Sequence, residues 1–327
     1  MKEKVLVTGA TGFTGSHLCE RLAREGYQVR ALVRNSHRCA DLYQQGMEVV
    51  NGDLRDPKSL FRATEGIDVV YHIAALFRQE VSRKEIWDVN FHGTMNILSA
   101  SMKAGVRRFV HCSTVGVHGD IKSLPADESA PCRPSDEYEA SKLAGERAAM
   151  EYMQSRKLPV VILRPGGIYG PRDLRFLKLF KSIKTRRFVM LGSGDVNYQM
   201  IYIDDLIDGI LLCGRKERAI GNIYILSGED YVTLNKLVKM IAEVLGVKPP
   251  RLRFPVGPVY LAGSLCEFVC KPLGMHPPLY RRRVNFFRKT RIFSISKAKR
   301  ELGFSPRIDL EKGIGLTADW YREHGYL

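Results

Sequence analysis

What the chain lacks narrows its class first. No apolar run reaches the roughly 20 residues that a membrane-spanning helix needs. Its seven cysteines form no CxxC pair and no zinc-like spacing. They read as reduced thiols of the core and surface, and no metal is expected. The opening Met1-Lys2-Glu3-Lys4 carries no secretory pattern, so a cytoplasmic location is expected. Neither an internal repeat nor a low-complexity stretch occurs. Acids are scarce: 35 Asp and Glu against 51 Lys and Arg leave a net charge of +16. The surplus gathers at Arg281-Arg282-Arg283, Arg288-Lys289 and Arg291, and again at Lys184, Arg186 and Arg187. A solvated basic face is the plain reading. An anionic coenzyme or substrate, or an anionic membrane surface, would also use that charge. Without a nucleic-acid motif, that partner is not expected.

What is present is an α/β pattern. Strands are expected over 4–7, 28–33, 47–51, 69–73, 108–112 and 160–163, with helices between them, including 15–25 and 85–104. Such alternation predicts a Rossmann-type, doubly wound parallel sheet. From about Pro165, Gly and Pro become dense and the elements shorten. Residues 1–165 therefore read as a dinucleotide-binding domain and 166–327 as mainly a smaller substrate lobe, interleaved with the last strands. Helical stretches in that lobe are expected in parts of 201–213, 234–245 and 297–302.

Thr8-Gly9-Ala10-Thr11-Gly12-Phe13-Thr14-Gly15 follows the first strand directly. Gly9, Gly12 and Gly15, with Thr11 and Phe13 between them, have the form of a turn that lets backbone approach a pyrophosphate at a helix N-terminus. After the second strand, an acid would take the ribose 2′-hydroxyl of NAD. Here that place holds Arg34-Asn35, with His37 and Arg38 beyond. An arginine suits a 2′-phosphate, which favours NADP; if Arg34 only stacks on adenine, NAD fits as well.

Tyr138 and Lys142 stand four apart, on one face of a helix. A lysine one turn from a tyrosine stabilises its phenolate and lowers a pKa that is ordinarily about 10. Ser113 and Thr114 follow the fifth strand and offer a hydroxyl to hold a substrate oxygen. With the glycine loop, this set points to hydride exchange at a hydroxyl or carbonyl carbon.

The chain resembles the extended short-chain dehydrogenase/reductase family over nearly its whole length. The matching stretches are TGATGFTG (8–15), GDLRD (52–56), HIAA (72–75), NFHGTMNIL (90–98), CSTVGVHG (112–119), YEASK (138–142), RPGGIYGP (164–171), YIDDL (202–206) and SKAKRELGFSP (296–306). The resemblance implies that Asp53 and Leu54 border the adenine, and that Ala74 and Ala75 border the diphosphate and ribose. It implies Asn90 beneath the active site among the coenzyme residues, and Pro165 and Gly166 near the nicotinamide. It makes Thr114 the contact to the substrate oxygen with Ser113 beside it, Tyr138 the acid/base and Lys142 its partner, also reaching the nicotinamide ribose. It further implies a homodimer through helices near 85–104 and 138–155.

Departures from family patterns narrow the activity. Thr114 is followed by Val115-Gly116 rather than the Asp-Glu pair of sugar 4,6-dehydratases. Gly167 and Tyr198 stand where nucleotide-sugar epimerases carry an asparagine and an arginine. Arg164-Pro165 is similar to the 3β-hydroxysteroid dehydrogenase and dihydroflavonol reductase branches, which act on cyclic alcohols and ketones. The expected substrate is thus a cyclic alcohol or ketone. A nucleotide sugar is the alternative, with Arg172, Arg175 or Arg291 replacing the missing arginine. A non-enzymatic coenzyme-sensing or RNA-binding relative ranks last, since Tyr138 and Lys142 are both present. The apolar stretch 254–280 reads as an ordinary two-helix cover in preference to a substrate lid or a membrane contact, and Cys266 and Cys270 within it read as buried thiols.

Overall fold

The structure, a computed structural model, describes residues 3–35, 39–77, 81–270 and 284–327. The first half alternates β1 (Lys4–Thr8), α1 (Phe13–Arg24), β2 (Gln28–Val33), α2 (Ala40–Gln44), β3 (Glu48–Asn51), α3 (Pro57–Thr64) and β4 (Val69–His72). It continues with α4 (Arg83–Trp87), α5 (Gly93–Lys103), β5 (Arg108–Cys112), α6 (Glu137–Arg156) and β6 (Val160–Pro165). The second half adds β7 (Gly167–Tyr169), α7 (Leu177–Lys184), β8 (Met190–Leu191), β9 (Asn197–Tyr202), α8 (Ile203–Arg215), β10 (Ile223–Leu226), β11 (Tyr231–Thr233) and α9 (Leu234–Val244). After it come β12 (Arg253–Phe254), α10 (Val256–Cys270), α11 (Ser296–Leu302) and α12 (Leu310–Glu323).

Seven strands form one parallel sheet in the order β10-β6-β5-β4-β1-β2-β3. Alternate residues of each strand feed two cores, because side chains switch faces at every step. Leu6, Val70, Phe109 and Ile162 pack under α3, α5 and α6, whereas Val5, Val7, Tyr71 and Val110 pack under α1 and α8. Burial on both faces explains why these strands are nearly continuous apolar runs. The strand order reverses between β1 and β4, which opens a crevice at the carboxyl edge, the usual ligand position in such sheets. β10 comes from the second half and pairs with β6, so that half contributes to the main sheet as well as to the small sheet β11-β9-β7.

Two elements differ from the sequence reading. The helix expected over 85–104 is α4 and α5 joined by a π turn over Asp88–His92. Of the stretch 201–213, expected to be helical in part, residues 201 and 202 are the last of β9 and α8 starts at Ile203.

Candidate active site

The glycine loop is built by close approach. Gly9 has φ +73°, and a Cβ there would lie 2.8 Å from the backbone of Ala74. A Cβ on Gly15 would lie 2.0 Å from the carbonyl oxygen of Gly9. Larger residues would push the loop away from both β4 and α1. The N-cap of α1 is Gly12, which has no side chain to cap the first turn. Phe13 and Thr14 therefore open a helix N-terminus with free capacity for an anion. Thr11 and Gly12 are exposed on the same loop.

Most predicted residues meet at this carboxyl edge. Ala74 and Ala75 follow β4, Ser113 and Thr114 follow β5, and Pro165 and Gly166 close β6. Tyr138 and Lys142 reach them from the first turns of α6, whose N-cap Asp136 accepts from Glu139 N at 2.8 Å. Thr114 Oγ1 accepts from Gly116 N at 3.1 Å, which fixes the hydroxyl at the start of a short 3₁₀ turn. Arg34, Asp53 and Leu54 lie at the far end of the crevice, after β2 and β3. Arg34 is exposed, and His37 and Arg38 lie outside the described residues. Arg55 pairs with Asp53 at 2.7 Å and, with a smaller contribution from Arg34, holds that carboxyl below its usual range. Leu54 is largely core: it is buried against Gly93, and its carbonyl accepts from Asn96 Nδ2 at 2.8 Å.

Lys142 is buried, and its Nζ has no hydrogen-bond partner among the described residues. Burial draws its pKa below the ordinary lysine value. Ser113 Oγ is likewise buried and unpartnered. Unsatisfied buried polar groups are costly and point to a missing ligand. A nicotinamide dinucleotide fits them: Lys142 has spare donors for a ribose, and the uncapped turn of α1 has spare N–H groups for a diphosphate.

Asn90 lies in the π turn, with its amide engaged by neighbouring elements. Its Oδ1 accepts from Leu76 N at 2.7 Å, and its Nδ2 donates to Leu76 O at 3.2 Å and Ser141 Oγ at 3.0 Å. With both ends of the amide engaged, Asn90 holds the loop after β4 against α6. It sits in the π turn, a distortion frequent at functional sites.

Behind this lies a relay that sequence reasoning missed. Ala74 N donates to Thr8 Oγ1 at 3.2 Å, and Thr8 Oγ1 meets His72 Nδ1 at 2.8 Å. His72 Nε2 meets Thr94 Oγ1 at 3.0 Å, and Thr94 donates to Asn90 O at 2.7 Å. Since Thr94 spends its proton on Asn90, the imidazole carries its own on Nε2 and accepts from Thr8 at Nδ1. His111 lies in register beside His72, with ring centres 5.4 Å apart. Burial, reinforced by Lys142, pushes His72 down to about 3 and His111 well below the ordinary histidine value. Both are neutral in the folded protein at neutral pH.

A pH dependence follows from the sign of these shifts. Between the unfolded value near 6.5 and the lower folded values, only the unfolded chain binds these protons. Stability should fall as the pH drops below about 6.5, by on the order of 1.4 kcal/mol per unit for each histidine. Urea midpoints measured from pH 7.5 to 5 should decline, and His111→Phe should flatten the slope. An unchanged slope in that variant would contradict a neutral, buried His111.

Arg175 also belongs to the site by position. Its guanidinium lies 5.9 Å from the Phe13 ring centre and 5.8 Å from that of Phe77. Phe77 in turn meets the Tyr138 ring edge-on at 4.5 Å. Asp173 anchors Arg175 through its backbone N–H and Nε, both at 3.0 Å. Arg164 behaves differently: it is buried under α6, paired with Glu146. Tyr198 is buried, donates its hydroxyl to Phe286 O, and bridges to Arg291 through the backbone. Gly167 is exposed on β7. Cys266 and Cys270 are half-buried rather than buried, and all seven cysteines are free. A groove of about 480 Å³ between Glu128, Met150, Asn222 and Lys297 holds none of the predicted residues. Chemistry rather than volume therefore locates the site.

The doubly wound sheet and its glycine-built cradle are those of an NAD(P)-dependent enzyme. The chain belongs to the NAD dependent epimerase/dehydratase family, whose sequence model matches residues 5–227, and so to the extended short-chain dehydrogenase/reductases. It is 32% identical to the uncharacterized protein y4nL of Sinorhizobium fredii, over 98% of this chain and 96% of that one. It is 30% identical to a putative dihydroflavonol 4-reductase of Synechocystis, over 100% of this chain and 97% of that one. The UDP-glucuronic acid 4-epimerase of Bacillus cereus, solved in complex with NAD, superposes with a TM-score of 0.79 at 25% identity, covering 98% and 99% of the two chains. Among the described residues, no helix is long and apolar enough to cross a membrane.

Proposed function

We propose that the protein is an NADP-preferring oxidoreductase of cyclic secondary alcohols or ketones, with residues 166–327 forming most of the substrate lobe. The observation that carries this reading is the buried, unpartnered Lys142 ammonium one helical turn behind Tyr138. A nicotinamide coenzyme would supply or accept the hydride. Thr11, Gly12, Phe13 and Gly15 would cradle its diphosphate, with Gly9 shaping the turn and Ala74 and Ala75 opposite. Asp53 and Leu54 would border its adenine, while Pro165 and Gly166 would flank the nicotinamide. Lys142 would hold the nearby ribose and keep a positive charge behind Tyr138. Tyr138 would give a proton to the carbonyl oxygen during reduction or take it from the hydroxyl in reverse. Thr114, with Ser113 beside it, would orient that oxygen. The likeness to a putative dihydroflavonol 4-reductase supports the substrate class. The test is loss of reduced-nicotinamide absorbance with a panel of cyclic ketones. Turnover of none of them, with turnover of a nucleotide sugar, would overturn the reading.

Arg34 is proposed to select the coenzyme. It is exposed directly after β2, and the sequence carries no acid over residues 34–38, where a 2′-hydroxyl would be taken. A charge-assisted bond to a 2′-phosphate contributes about 1.5–3 kcal/mol. Arg34→Ala should therefore weaken NADP(H) binding roughly 10- to 100-fold and change NAD(H) binding little. Equal losses for both coenzymes would leave Arg34 a stacking residue.

One observation favours a nucleotide-sugar epimerase as the second reading. Arg291 is bridged to Tyr198, so an arginine stands beside the position where epimerases carry one. Such an enzyme would keep NAD bound through the turnover.

A further inference from the structure

α10 is a helix with an exposed apolar face that no other described element covers. Leu261, Leu265, Phe268 and Val269 recur at helical spacing, and all are exposed, Phe268 at 77% and Leu261 at 72%. Leu252, just before β12, and Phe254, within it, are exposed as well and alternate along the chain with Arg251 and Arg253. Contiguous apolar surface of this kind marks an interaction site. The sequence reading prefers a two-helix cover over 254–280; residues 271–280 of it lie outside the described residues, and within α10 these four side chains face solvent.

The charge around this face identifies its partner. The described residues of this stretch, 248–270 and 284–291, contain six Lys and Arg and a single acid, Glu267. That is a net charge of +5 within 31 residues. The Arg288 guanidinium packs over the Tyr260 ring of α10 at 4.1 Å, which brings a cation to the flank of the helix. A second copy of the chain would set this positive surface against itself across a two-fold axis. Nucleic acid would match the charge but leave the aliphatic face unburied. An anionic lipid surface satisfies both parts, taking the apolar side chains into the acyl boundary and the cations among the headgroups. At 15 residues, or about 22 Å, α10 is too short to cross a bilayer and suited to lie on one.

We propose that α10, with Arg251, Arg253 and Arg288 beside it, docks the protein on anionic membrane surfaces. The inference is independent of the reaction proposed above. Lys289, in the same segment, pairs with Asp120 at 2.9 Å and donates to Ser135 Oγ at 3.2 Å. Ser135 immediately precedes the N-cap of α6, so the docking segment is tied to the helix that carries Tyr138.

The test is cosedimentation of the full chain with vesicles of phosphatidylcholine alone or of equal parts phosphatidylcholine and phosphatidylglycerol. The protein should pellet with the anionic vesicles and be released by high salt. The double variant Leu265→Glu/Phe268→Glu should lose about tenfold or more of the partitioning. Its thermal unfolding should match the parent, since both side chains are exposed. Protein that stays in the supernatant with anionic vesicles, or a variant that pellets like the parent, would overturn the proposal. So would a parent dimer that the double variant makes monomeric, because the face would then belong to a second copy.

Discussion

Replacing Tyr138 by Phe should lower turnover about 10³-fold, in the range set by removal of a general acid, and leave coenzyme affinity within about twofold. The substitution removes one hydroxyl and little else. The ring keeps its edge-on contact with Phe77 at 4.5 Å, and α6 keeps its Asp136 cap. Lys142 provides the contrast. Its ammonium is buried without a partner, so Lys142→Met should relieve a desolvation cost in the empty protein and remove a ribose ligand in the loaded one. Turnover and coenzyme affinity should then fall together, with thermal stability unchanged or raised. Rapid-equilibrium coenzyme titrations beside steady-state rates separate the two variants. Tyr138→Phe activity within a few-fold of the parent would remove Tyr138 from the chemistry.

Breaking the buried pair between Arg164 and Glu146 should cost about 3–5 kcal/mol of stability, because either single replacement strands a charge in the interior. Both side chains are almost fully buried. Arg164 Nε donates to Glu146 Oε2 at 3.0 Å, Nη2 donates to Glu146 Oε1, and Nη1 reaches His118 Nε2 and Glu128 O. Arg164 thus ties β6 to α6 and to the loop after β5, the elements that bring Gly166, Tyr138 and Thr114 together. Glu146→Ala or Arg164→Met should lower the urea midpoint sharply, whereas Arg164→Met/Glu146→Leu should recover much of the loss. Single variants that lose less than about 1 kcal/mol would show that this pair is not the tie.

This pair also marks how far the sequence is legible. Arg164-Pro165 serves well as a family resemblance, but nothing local indicates that the arginine turns inward, since Glu146 lies a helix away. The same applies to the relay behind the loop after β4. Thr8 and Thr94 are 64 and 22 residues from His72, so the histidine's role is invisible in HIAA alone. Elements set by local pattern are read well: β2 and β5 fall where their apolar runs predict, and the glycine turn opens α1. Elements set by distant partners are not. The π turn at Asp88–His92 serves contacts to the loop after β4 and to α6, where a Cβ on Gly145 would lie 3.0 Å from Asn90 O. α12 carries Gly313, which lowers its apparent helix propensity, yet that glycine admits the Tyr169 ring. β9 is a strand because β7 and β11 pair with it on either side.

An enzyme that exchanges NADP(H) with solution at each turnover should leave purification without bound coenzyme. Mass spectrometry of the protein denatured directly after purification, followed by NAD(H) and NADP(H) titration of the emptied protein, should show little released dinucleotide and tighter binding of NADP(H). Stoichiometric, tightly held NAD would contradict that exchange and favour the epimerase.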